Sequence, residues 1–116
     1  MPTEIRHIIF TQEEVVRGAV DYHRRSGSPL PTGSIIKMVV EKEPALRIAL
    51  HIALDADDSR AVIWIEHQVL AAALIFFCIQ NRIPLPTKAA KELTLMGEKI
   101  ALVVTKSPVQ DGRGRA

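Results

Sequence analysis

Two stretches near the middle of the chain alternate apolar and polar residues with a period of two. In the first, Ile36, Met38 and Val40 share one face, with Lys37 and Glu41 opposite. In the second, Leu46, Ile48, Leu50, Ile52 and Leu54 share a face against Arg47, Ala49, His51 and Ala53. This alternation predicts two half-buried strands. A five-residue turn through Lys42, Glu43 and Pro44 would pair Val40 with Leu46 and Met38 with Ile48, keeping both apolar sets on one side.

Upstream, the apolar-rich run 5–10 predicts another strand. Thr11-Gln12-Glu13-Glu14 then has the form of a capping box, and Val15, Ala19 and Tyr22 recur at helical spacing. Arg24 and Arg25 suit the negative end of that helix, and Gly27 suits its stop. Pro29-Leu30-Pro31-Thr32-Gly33 continues neither element and reads as a connector.

Downstream, Asp55 to Ser59 form a polar turn and 61–65, with Trp64, a strand. A second helix is predicted over about 66–82, apolar nearly all round from Val69 to Ile79. Pro84-Leu85-Pro86-Thr87 closes it, a helical turn is expected over 88–91, and strands 93–96 and 99–105 flank Gly97-Glu98 as a two-residue hairpin. The Pro/Gly/Arg-rich end, 107–116, is expected to be disordered.

Pro-Leu-Pro-Thr occurs at 29–32 and again at 84–87, an offset of 55. That offset lays Ile8 on Ile63, Phe10 on Ile65, Val15 on Leu70, Ala19 on Leu74 and Tyr22 on Phe77. With small gaps, Ile36 and Met38 fall on Leu93 and Leu95, and Ile48 and Leu50 on Leu102 and Val104. Each half therefore reads strand, helix, connector, hairpin. The expectation is an α+β two-layer sandwich built from a duplicated β-α-β-β unit. It would have a mostly antiparallel six-stranded sheet with two helices on one face, in a single domain over 1–106 with pseudo-repeats at about 4–54 and 60–105. The inward set would be Ile8, Phe10, Ile36, Met38, Val40, Ile48, Leu50, Ile63, Ile65, Leu93, Leu95, Ile100 and Leu102.

At 116 residues, 47% hydrophobic and 24% charged, the composition suits one ordinary globular core. A net charge of +2 falls short of the basic footprint that makes nucleic acid the default partner. The lone Cys78 lies in an apolar run and reads as a small buried hydrophobe. No apolar h-region follows Met1, and the longest apolar run, 69–79, is too short to cross a bilayer, so the cytoplasm is the expected setting and no membrane is expected as partner.

Candidate chemistry is sparse. His7, His23, His51 and His67 form no metal-ligand pattern, although His7 and His51 share outward parity and would lie on one sheet face. Asp55-Ala56-Asp57-Asp58 opens like a calcium loop but lacks its glycine, with Arg60 at that position. No nucleophile elbow or phosphate loop occurs. No catalytic residue, cofactor or metal is therefore expected.

Two features ask for a partner: the all-round apolar second helix and the outward strand parity, which is too apolar for a face left in water. The candidate interface is Ile9, Val39, Arg47, His51, Val62 and Trp64. The expected function is a small non-enzymatic interaction or regulatory domain that self-associates, or meets a protein partner, through that face or that helix. The alternatives are a nucleic-acid-binding module using Trp64 as a stacking platform with Lys37, Arg47, Arg24, Arg25 and Arg82, and a small ligand-binding domain or enzyme.

Overall fold

In the computed structural model, which describes residues 2–107, the chain runs β1 (Glu4–Phe10), α1 (Gln12–Arg25), β2 (Gly33–Glu41), β3 (Arg47–Leu54), β4 (Arg60–Ile65), α2 (His67–Gln80), β5 (Ala90–Met96) and β6 (Lys99–Lys106). It is an α+β fold. The expected disordered end lies, apart from Ser107, outside the described residues.

Local sequence starts the two helices differently. At α1 the capping box is complete: Glu14 N–H donates to Thr11 Oγ1 at 3.1 Å, and Thr11 N–H donates to Glu14 Oε1 at 2.8 Å. Such a cap is worth about 1 kcal/mol. The start of α2, at Glu66, carries no side-chain cap, so burial rather than capping holds that helix. Its five buried residues are Leu70, Ala73, Leu74, Phe77 and Cys78. The expected helical turn over 88–91 does not form. Thr87 and Lys88 make a plain turn, and β5 starts at Ala90, ahead of the predicted 93.

The expected single six-stranded sheet is corrected to two three-stranded antiparallel sheets, ordered β1-β6-β5 and β2-β3-β4. Each hairpin, β2-β3 or β5-β6, is completed by the first strand of the other half. One core cluster then takes Phe10, Leu93, Ile100, Leu102 and Val104 from the first sheet. It takes Ile48, Leu50, Ile52 and Ile65 from the second, and residues of both helices between them. Splitting the strands is the physical answer to α2: an apolar helix meets more cover between two inner faces and a neighbouring helix than over one flat sheet. On α2, Ile79 is 63% exposed, and Val69, Ala71, Ala72, Ile75 and Phe76 are half-buried.

The helices cross where side chains are smallest. A Cβ placed on Gly18 would meet Phe77 Cβ at 3.4 Å and the Ala73 carbonyl at 3.5 Å. Farther along, Tyr22 meets the Phe76 ring edge-on at 6.1 Å, and the Arg25 guanidinium lies over the same ring at 5.6 Å. These long α1 side chains cover α2.

Strand registers depart from the simple alternation in two places. Val40 pairs with Ile48 and Met38 with Leu50, two residues on from the predicted register. A shift of two keeps every face, and it releases Leu46 from the strand into the core, where it is 6% exposed. The second departure is a β-bulge between Ile35 and Lys37. The extra residue swaps parity, so Ile35 packs on the core and Ile36 is 44% exposed, the reverse of the prediction. The other predicted inward residues all belong to or pack on the core.

The ladders match between the sheets. Ile8 pairs with Leu102 and Phe10 with Ile100; Ile63 pairs with Leu50 and Ile65 with Ile48. Likewise Met38 pairs with Leu50, and Leu93 with Leu102. By ladder position Leu93 stands where Met38 does, rather than Ile36, and Leu102 where Leu50 does, rather than Ile48. The offset of 55 runs without a gap as far as β5. It falls to 52 in β6, because the turn after β5 is three residues shorter than the turn after β2.

Candidate interaction surface

The outer face of β2-β3-β4 is laid out in rows across the strands, fixed by the ladder. Val39, Ala49 and Trp64 form one row, and Lys37, His51 and Val62 form the next. Val39, Val62 and Trp64 are 39%, 47% and 42% exposed, whereas Ala49 between two larger neighbours is 2% exposed. Five of the six candidate residues, Val39, Arg47, His51, Val62 and Trp64, are therefore gathered on one face. Ile9 is not among them: it stands on β1 in the other sheet, opposite Ala101, with Ile5 as its exposed neighbour. His7 is on β1 as well, so the expected pairing of His7 with His51 on one face is corrected.

Arg47 organises the end of this face. Its guanidinium carbon lies 3.9 Å from the centre of the Trp64 ring. Nε donates to Glu41 Oε1 at 2.8 Å, and Nη1 donates to Glu66 Oε2 at 3.0 Å. The hydrogen bond to Glu41, more than that to Glu66, holds the guanidinium even more firmly protonated than usual, with partial burial opposing. Two carboxylates and an indole hold the cation, with 29% of the Arg47 side chain still exposed. Sequence reasoning brought neither Glu41 nor Glu66 to Arg47. The available signal was the turn: residues flanking a hairpin loop face each other, and here those are Glu41 and Arg47.

Other candidate groups remain apart. Asp57 Oδ1 accepts from Ser59 Oγ at 2.6 Å and from Ser59 N at 3.0 Å, which lowers the Asp57 pKa and ties the 55–59 turn together. Among the described residues no three His, Cys, Asp or Glu side chains gather as a metal set. No described helix is long and apolar enough to cross a membrane.

Cys78 is fully buried in α2, and burial pushes its thiol pKa up, against a smaller lowering by Arg6. At pH 8 the native chain is expected to react with a thiol reagent at least about a hundredfold more slowly than the urea-unfolded chain, as for a site exposed only by openings costing roughly 3 kcal/mol. Equal rates would show that α2 opens freely.

A cleft of about 520 Å³ opens between the start of α1, β2 and the β5-β6 turn. Phe10, Val15, Met38, Val40, Leu95 and Ile100 supply its apolar walls, and exposed Gln12, Glu98 and Lys99 its rim. Its volume is in the range of small-ligand sites, but it is a half-open groove whose accessible lining is almost as polar as apolar. In comparisons with known proteins, no protein family, no curated protein and no solved structure matches this chain.

Proposed function

We propose that the chain is a non-enzymatic interaction domain, one domain over 1–106 that arose by duplication of a β-α-β-β unit, and that it pairs with a second copy through the outer face of β2-β3-β4. The observation that carries this reading is the Val39-Ala49-Trp64 row with Val62 beside it, in which Val39, Val62 and Trp64 remain 39%, 47% and 42% exposed. Burying such side chains fully yields roughly 1.5–3 kcal/mol each. These are already half covered, so each contributes less, but a two-fold contact uses every residue twice. The sum is then of the order of the several kcal/mol that association costs. Matching ladders, the repeated connector and the tucked-in Leu30 and Leu85 support duplication. Arg47 over Trp64 supports a protein partner rather than nucleic acid, because the ring face a base would need is taken. A lone buried thiol suits the reducing cytoplasm.

Sedimentation velocity across micromolar concentrations tests the reading. The wild type is expected as a concentration-dependent dimer and Trp64→Glu as a monomer with unchanged circular dichroism, since Trp64 is no part of the core. A wild type that stays monomeric throughout would falsify it.

A further inference from the structure

The corresponding hairpins differ in one respect that bears on the cleft. Between Glu41 and Arg47 the turn holds five residues, 42–46; between Met96 and Lys99 it holds only Gly97 and Glu98. The longer turn folds inward. Its Leu46 joins the core, and the Leu46 carbonyl accepts a 3.0 Å hydrogen bond from Nδ1 of His67, the first residue of α2. At the offset of 55 the counterpart of His67 is Gln12, the first residue of α1. Beside Gln12, where a loop matching 42–46 would lie, there is the 520 Å³ cleft. One half fills this position from its own chain, and the other leaves it open.

We propose that the cleft is a binding site for a short peptide that presents a leucine-type side chain to Met38, Val40 and Leu95, the partly exposed apolar residues of its lining. A backbone carbonyl of the peptide accepts from the Gln12 side-chain amide, as the Leu46 carbonyl accepts from His67. The carbonyl needs such a donor because a buried peptide C=O without a partner opposes binding. The cleft is a half-open groove larger than one aliphatic side chain, which leaves room for the peptide residues on either side of the leucine. Glu98 and Lys99 give the rim one anion and one cation, which complements a peptide carrying one of each, as the 42–46 loop does with Lys42 and Glu43. This site is separate from the outer face of β2-β3-β4 and does not depend on self-association.

The probe is acetyl-Lys-Glu-Pro-Ala-Leu-amide, titrated into the full ¹⁵N-labelled chain, both wild type and Trp64→Glu. Saturable shifts are expected at the amides of Gln12, Gly97, Glu98 and Lys99, with a dissociation constant of about 1 mM or tighter. The same peptide ending in serine should bind about tenfold more weakly or worse, because the buried methyl groups are gone. Gln12→Ala, at an exposed position, should fold normally and weaken binding about threefold, the loss of one modest hydrogen bond. Replacing Gly97 and Glu98 by residues 42–46 should fill the cleft from within and abolish the titration. No shifts, equal shifts with both peptides, or undiminished binding to the grafted chain would overturn the proposal. So would cleft shifts that grow with chain concentration alone, which would make a second copy the occupant. Saturation by leucine amide as strong as by the peptide would leave a single amino acid as the ligand and equally overturn it.

Discussion

Phe10→Ala is expected to lower the unfolding free energy by about 3–5 kcal/mol, a large share of the roughly 5–15 kcal/mol available to a domain of this kind. Phe10 is the last residue of β1, 2% exposed, and its ring meets Phe77 edge-on with centroids 5.9 Å apart and planes at 77°. Truncation removes the transfer term of the ring and the edge-to-face contact, itself worth about 0.5–1.5 kcal/mol. It also leaves a hole where a strand of one sheet meets a helix following the other. Such a hole cannot collapse by moving one element, because β1 is tied to β6 by its ladder and α2 to α1 by the Gly18 crossing. Urea unfolding followed by circular dichroism would measure the loss, with the slope unchanged. A loss under about 1.5 kcal/mol would mean that the ring is not held between Phe77 and the sheet.

How much of this was legible in the sequence depended on whether the signal was local. The Thr11 capping box, the parity of Ile48, Leu50 and Ile52, and the two connectors could be read directly, because each rests on neighbouring residues and a single periodicity. The partition of six strands between two sheets could not. Each half pattern is satisfied whichever hairpin β1 or β4 joins, and what decides is the cover that α2 needs, a property of the assembled core. The bulge at Ile36 was illegible for a related reason. Ile35 and Ile36 are chemically the same, so alternation cannot say which turns inward. Parity put five of the named residues on one sheet face but added Ile9, since parity alone does not say which sheet a strand joins. The cleft left no signal in either half alone; it shows only when the five-residue and two-residue turns are compared at matching positions.

Gly33→Ala is expected to destabilise the chain by about 1–3 kcal/mol, against the usual sign of this substitution in ordered backbone. Replacing glycine by alanine at an unstrained site commonly stabilises by about 0.4–1 kcal/mol, by restricting the unfolded chain. Gly33 opens β2 opposite Leu54, and its need is for space. A Cβ there would collide with the Ala53 carbonyl oxygen and lie 2.9 Å from Ile52 Cγ2 and 3.0 Å from the Ala53 carbonyl carbon. Two of those atoms are backbone of β3, the central strand, which is hydrogen-bonded on both sides by β2 and β4 and cannot retreat. The approach is tightened further by the 3.1 Å hydrogen bond from Asp55 N–H to the Thr32 carbonyl. The strain therefore opens the β2 end of the ladder, at a cost typical of overpacking. The second connector provides the control. There Thr87 is followed by Lys88, in a turn ahead of β5, and Lys88→Ala should change stability by no more than about 0.5 kcal/mol. Thermal unfolding of the pair would separate them, since 1 kcal/mol moves the midpoint by about 4 °C or more at this size. If Gly33→Ala proves neutral or stabilising while Lys88→Ala is silent, β2 does not approach Ala53 as closely as the ladder places it.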